Sequence, residues 1–178
     1  MIYAAFSRPE GIFDSFFNKT AAFVTGRGNY CHSEFIFRWT DEERQQVLER
    51  VKGFNDLKHH KGSVDVAVYI LWGDHVRYRI LNGATQFWTF PQNDTIRIQV
   101  NWEKELNTIT WLSNQIGAQY DTMGALLCQF PLRKDSVAYE SYFCSQLMGC
   151  ALKRLGFLNN CNPAHLSPNS LYRMLVIR

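Results

Sequence analysis

The chain contains no C-x-x-C pair and no marked excess of charge of either sign. It also lacks an apolar run approaching the roughly 18 residues of a membrane-spanning helix. Each absence removes a class of protein. The five cysteines, Cys31, Cys128, Cys144, Cys150 and Cys161, are odd in number and lack zinc-ligand spacing. Neither a disulfide framework nor a zinc finger is expected, and no metal or cofactor is called for. The 19 basic and 16 acidic residues leave a net charge of +3, too even a balance to imply a nucleic-acid partner. No repeat, low-complexity tract or Pro/Gly/Ser-rich linker divides the sequence, so residues 1–178 read as a single domain. The opening MIYAAFSRPE has neither a basic start nor a long apolar stretch, so no secretory signal is expected. With unpaired thiols, that suggests a reducing compartment.

What is present is apolar mass. The 178 residues are 46% hydrophobic and 15% aromatic, with 20% charged, enough to fill a core and exclude intrinsic disorder. Ile2 to Phe6 reads as a strand. Gly11 to Thr25 reads as a helix, with Ile12, Phe13, Phe16, Phe17, Phe23 and Val24 at helical spacing and Gly26 and Gly28 as its stop. Tyr30 to Trp39 is an aromatic-rich strand. Thr40 and Glu43 form a capping box for an amphipathic helix running to about Lys58, followed by a polar loop to Ser63. Strands are expected near Val64–Trp72, Val76–Leu81, Thr85–Phe90 and Thr95–Val100, with Asn82-Gly83 as a tight turn. From Asn101 onward the pattern is helical, over 102–116, 121–129, 143–155 and 168–175. Ser167 caps the last of these and Pro168 is its first residue. Strands flanked by helices without βαβ alternation predict an α+β domain.

Helix position separates one thiol from the rest. Cys144 falls in the first turn of its helix, where backbone N–H groups lack intrahelical partners and the dipole favours a thiolate. A cysteine there suits a nucleophile, and the same N–H groups suit an oxyanion; equally, it suits a small buried residue. Cys150 in mid-helix and Cys128 beside Leu126, Leu127 and Phe130 read as packing. Cys161 lies in a loop with nothing nearby to activate it. A metal site from Cys31, His32, Cys144 and Cys150 has no pair at zinc spacing.

A nucleophilic thiol needs an imidazole as base, and the imidazole needs an orienting group. His59 and His60 lie in a polar loop, His75 in a turn and His165 before the last helix. Only His32 sits in a strand among large apolar residues, and Glu34 shares its face at i, i+2. The two readings of that pair are a catalytic face and the polar side of a solvent-facing edge strand.

These segments together resemble the permuted NlpC/P60 group of papain-like hydrolases, in particular the small bacterial, phage and viral YiiX-like members. Four motifs across nearly the whole chain carry the resemblance. Thr25-Gly26-Arg27-Gly28 leads into Tyr30-Cys31-His32-Ser33-Glu34, similar to the family's strand-borne H-x-E. Gly117-Ala118-Gln119-Tyr120-Asp121 is similar to its G-x-x-Y-D. Tyr142-Phe143-Cys144-Ser145-Gln146-Leu147 resembles its F-C-S-E nucleophile turn, and Leu166-Ser167-Pro168-Asn169-Ser170-Leu171 its L-S-P-x-x-L. The histidine precedes the cysteine, as circular permutation requires; triads are defined by geometry and not by chain order. Gln146 stands where the family often has Glu, residues 40–65 look like an insertion, and the family's glycine-rich strand is reduced to Gly73-Asp74-His75-Val76-Arg77.

The resemblance implies a circularly permuted papain-like fold, an antiparallel sheet or half-barrel packed against helices. It implies Cys144 as nucleophile, His32 as base and Glu34 as orienting group, with Gln86 or Asp74 as substitutes for Glu34. Ser145, Gln146, Tyr30 and Tyr120 are expected at the oxyanion site or in its wall. The reaction would be hydrolysis of a peptide-like amide or an acyl ester, lipid esters included, through a thioester, in a cytoplasmic or virion setting. Two rivals remain: a structural or binding protein that keeps the fold without turnover, and a nucleic-acid binder using Arg133-Lys134 and Lys153-Arg154. The aromatics Phe35, Phe37, Trp39, Trp72, Phe87 and Trp88 fit a hydrophobic groove or an ordinary core.

Overall fold

Five antiparallel strands form the centre of a computed structural model that describes residues 1–8, 30–81, 94–128 and 141–177. They are β1 (Ile2–Ser7), β2 (His32–Trp39), β3 (Val64–Tyr69), β4 (Arg77–Leu81) and β5 (Thr95–Ile98), in spatial order β4-β3-β2-β1-β5. Around the sheet lie α1 (Asp41–Arg50), α2 (Trp102–Ser113), α3 (Thr122–Leu127), α4 (Cys144–Arg154) and α5 (Pro168–Val176). A separate parallel pair joins β6 (Gln119–Tyr120) to β7 (Ser141–Tyr142). The α+β class expected from the strand and helix pattern is the one observed. No helix among the described residues is long and apolar enough to cross a membrane.

Alternation along the strands sorts their side chains into two unequal faces. Phe35, Phe37 and Trp39 of β2 join Ile2, Ala4 and Phe6 of β1 and Val64, Val66 and Val68 of β3 in the main core. Their partners from α4 are Leu147, Met148, Ala151 and Leu152, all buried. The aromatic rings of β2 follow one another at 6.0 and 5.6 Å, so these residues are core and not an open groove. The opposite face carries a smaller apolar cluster of Ala5, Ile36, Ala67, Tyr69 and Leu81.

Several boundaries differ from the sequence reading for local reasons. β2 begins at His32, because the backbone of Tyr30 is held by a side chain from α5. The N–H donates to Asn169 Oδ1 at 2.9 Å, and the C=O accepts from Asn169 Nδ2 at 3.0 Å. The capping box of Thr40 and Glu43 is present, but α1 stops at Arg50. Gly53 then turns the chain at φ +102°, and Phe54 and Leu57 reach the core from a 3-10 turn, Asn55–His59. β3 ends at Tyr69, before a turn in which Asp74 N–H donates to Leu71 C=O. The pair β6–β7 has no counterpart among the expected strands, being only two residues each. Ser167 and Pro168 open α5 as expected, Ser167 capping it with Ser170. The expected helix Gly11–Thr25, the turn Asn82-Gly83, the strand Thr85–Phe90 and Arg133-Lys134 lie outside the described residues.

Candidate active site

Cys144 is the first residue of α4, and its place is set by what precedes it. In the β6–β7 pair Gln119 faces Ser141 and Tyr120 faces Tyr142, while Asp121 N–H donates to Tyr142 C=O. The Tyr142 hydroxyl donates to Gln115 Oε1 at 2.8 Å. On the far side of the thiol, the inner stripe of α4 is locked into the core and the Ser145 hydroxyl donates to Leu166 C=O at 2.7 Å. The N-cap residue Phe143 offers no side-chain acceptor, so it leaves the first-turn N–H groups of α4 to other acceptors.

His32 comes to this helix start from the first position of β2. Burial alone would lower the imidazole's pKa; the adjoining Cys144 and then Glu34 outweigh it and push it up to about 10, although Nε2 itself is buried without a hydrogen-bond partner. For the Cys144 thiol, burial acts to raise the pKa. The hydrogen bond and charge of His32, with backbone hydrogen bonds from Ser33 and Ser145, outweigh burial and hold it below the usual thiol range. Both shifts favour a proton on imidazole and a negative charge on sulfur. Only 7% of Cys144 is exposed, so the charged pair is shielded from water.

Glu34 is within ion-pair range, with its Oε2 at 3.8 Å from His32 Nε2, longer than a hydrogen bond. It is 3% exposed and is also held by Arg79, whose Nη2 donates to Oε1 at 3.0 Å and Oε2 at 3.3 Å. The solvent-facing reading of the His32–Glu34 face therefore fails, since the carboxylate is buried and paired. Asp74, a substitute orienting group, is engaged by His75 Nδ1 at 2.9 Å and Arg77 Nη2 at 2.6 Å. Gln86 lies outside the described residues.

The remaining expected site residues divide. Tyr120 adjoins the thiol: burial and then the negative charge on Cys144 raise its pKa, and its ring packs on Trp72 at 5.2 Å. Gln146 is 7% exposed, with Oε1 buried and without a hydrogen-bond partner. Ser145 contributes its backbone, because its hydroxyl is taken by Leu166. Tyr30 braces the entry to β2: its hydroxyl donates to Asp94 Oδ1 at 2.8 Å, where Arg8 also binds at 2.9 Å. Sequence reasoning missed Arg79 and Asn169. Arg79 meets Glu34 only through the register of β4 on β3, for which the sequence carries no local signal, and Asn169 stands at a variable position of the quoted L-S-P-x-x-L. Among the described residues no three His, Cys, Asp or Glu side chains group to hold a metal ion. Lys153 and Arg154 are exposed at the end of α4, with Arg154 stacked over Trp111 at 4.6 Å.

Comparison with known proteins found no match. Models of protein families, curated proteins and solved structures were each searched, and none resembles the chain closely enough to assign it.

Proposed function

We propose that the protein is a cysteine-dependent hydrolase of amide or acyl bonds, with Cys144 as nucleophile, His32 as base and Glu34 as orienting carboxylate. The observation that carries this reading is the shielded Cys144–His32 pair at the start of α4, with opposite pKa shifts. The permuted papain-like fold belongs to the same proposal. It is supported by the order histidine strand, then cysteine helix, and by the antiparallel sheet against which that helix packs.

The chemistry follows from the pair. The Cys144 thiolate adds to an acyl carbon, and the backbone N–H of Cys144 helps hold the oxyanion. Protonated His32 gives its proton to the departing amine or alcohol, leaving a thioester. His32 then takes a proton from water, whose oxygen attacks the thioester and releases acid and free thiol. Glu34 stabilises the imidazolium while it is charged. The acyl group is a peptide-like amide or an acyl ester, lipid esters included, and a cytoplasmic or virion setting suits the free thiols.

A panel of peptide, isopeptide and acyl-ester probes tests the reading, with Cys144→Ala as control. Hydrolysis lost in Cys144→Ala and in His32→Ala is the expected result. Turnover should fall at low pH as the thiolate is protonated, and again near pH 10 as His32 loses its proton. A Cys144→Ala protein that hydrolyses the same probe at the same rate would eliminate the assignment.

A further inference from the structure

We propose that Arg79 is a positioning residue for the Cys144–His32 pair, acting through Glu34. This rests on the reading of that pair as an active site, and it adds a fourth member from β4, a strand expected from the sequence but given no part in the site.

The register of the sheet shows how the contact is built. Across β2, β3 and β4, Ile36 faces Ala67 and Ala67 faces Arg79, so the three side chains lie in one row on the His32–Glu34 face. On β1, Ala5 sits directly opposite Glu34. Ala67 takes up little space above β3, the strand that lies between Arg79 and Glu34. The Arg79 side chain crosses β3 through that space, its guanidinium 4.9 Å from the Tyr69 ring centre. Its Nη2 ends between the two oxygens of Glu34, at 3.0 and 3.3 Å. Arg77, the other arginine over Tyr69, binds Asp74 instead. Among the described residues Arg79 is the cation assigned to Glu34 besides His32 itself.

The physical consequence is directional. A buried carboxylate stripped of its cation is strongly unfavourable, so the Glu34 side chain turns toward water or toward another donor. Either change withdraws negative charge from Nε2 of His32, which makes the imidazolium less favourable. A less favourable imidazolium makes the Cys144 thiolate less favourable in turn. The guanidinium's own repulsion of the imidazolium is the smaller effect, because Arg79 is 46% exposed and screened by solvent. Among the described residues, the titratable and charged groups that face the pair are Glu34 from β2, Arg79 and Tyr69 beyond it, and Tyr120 from β6.

The test is the pH profile of Cys144 carboxamidomethylation by iodoacetamide, read site by site by mass spectrometry on the full chain. Arg79→Ala should move the acid limb of that profile upward and slow labelling at pH 6 by roughly 3- to 10-fold. Arg79→Lys should recover part of the loss. In a Glu34→Gln background, Arg79→Ala should add no further shift, which a merely structural role would not reproduce. Arg79→Gln, which keeps the stem as far as Cδ and a polar end without the charge, serves if Arg79→Ala does not fold. An unchanged profile, a shift to lower pH, or the same shift with Glu34→Gln would each overturn the proposal. Failure of the active-site reading looks different: wild-type Cys144 would then label at about pH 6 to 7 no faster than the same residue in the urea-unfolded chain.

Discussion

Cys144 and Cys150 lie on the same helix, about 9 Å apart along its axis. Both are largely withdrawn from water, and burial pushes both pKa values upward. They end on opposite sides of the ordinary thiol value. Cys150 rises to about 11, because burial outweighs the opposing charges of Arg154 and Lys153 on the exposed last turn. Cys144 falls, because His32 and the N–H groups of Ser33 and Ser145 reach its sulfur inside the shielded region. A buried thiol is therefore not activated by nearby positive charge alone. It is activated by donors that share its desolvated space, and these come from the start of β2 and the first turn of α4, which meet at Cys144 and not at Cys150.

The largest effect expected from this contrast is in reactivity. With a pKa of about 11, Cys150 is thiolate in about one molecule in ten thousand at pH 7. Iodoacetamide at neutral pH should label Cys144 at least ~100-fold faster than Cys150, even after the lower intrinsic nucleophilicity of a low-pKa thiolate is allowed for. Labelling of the two at similar rates would remove the contrast. Cys144→Ala should reduce probe hydrolysis by ~1000-fold or more, whereas Cys150→Ala should leave it within about 2-fold.

The next effect isolates the partner. His32→Ala removes both the hydrogen bond and the charge that lower the Cys144 pKa, while nothing near Cys150 changes. Cys144 labelling at pH 6 should slow by ~10- to 100-fold, and its profile should move toward that of Cys150. Above pH 10 the wild-type imidazole has lost its proton, so the two proteins should converge there. A His32→Ala profile that overlays wild type at pH 6 would show that the helix start alone activates the thiol.

How legible this was in the sequence depends on the range of the interaction. Cys144 could be singled out because a helix N-terminus is a local property, visible in the apolar stripe Leu147, Ala151, Leu155 that follows it. The pairing of His32 with Glu34 was visible because i, i+2 alternation is also local. What was not visible is what those two residues meet. Arg79 reaches Glu34 only because β4 pairs with β3 in one register, and no sequence-local rule fixes that register. The break of α1 at Arg50 is similar: Phe54 and Leu57 keep helical spacing, yet Gly53 at φ +102° delivers them to the core from another direction. Asn169 was quoted within a motif but given no task, since its partner is 139 residues earlier.

That partner makes Asn169 the third test. Its amide satisfies both backbone groups of Tyr30, two residues ahead of His32, in a buried setting. Asn169→Ala would strand a donor and an acceptor there, costing about 2–4 kcal/mol of stability in urea unfolding. Because the strand entry loosens at the His32 end, Cys144 labelling should slow by about 3-fold while Cys150 labelling is unchanged. Equal acceleration of both would mean the helix itself had opened, and the clamp would then have no selective hold on the site.

The smallest effect concerns the spacer between the two thiols. Gly149 sits on α4 against the turn Pro163–His165, and a Cβ there would lie 2.8 Å from Leu166 Cδ1 and 3.2 Å from Pro163 Cβ. Alanine in place of glycine inside a helix is worth about 1 kcal/mol by propensity. Against that stands overpacking, about 1–3 kcal/mol, with a proline ring that cannot rotate away and a leucine that is itself buried. Gly149→Ala should therefore destabilise the protein by about 1 kcal/mol in urea unfolding. Ser145 holds the same Leu166 by its carbonyl, so the displaced turn pulls on the first turn of α4 and not on Cys150. The ratio of Cys144 to Cys150 labelling should change by less than about 2-fold, because His32 and Ser33 approach the sulfur from the sheet side. A stabilised Gly149→Ala protein would mean that the turn yields freely and that α4 is anchored by its apolar stripe alone.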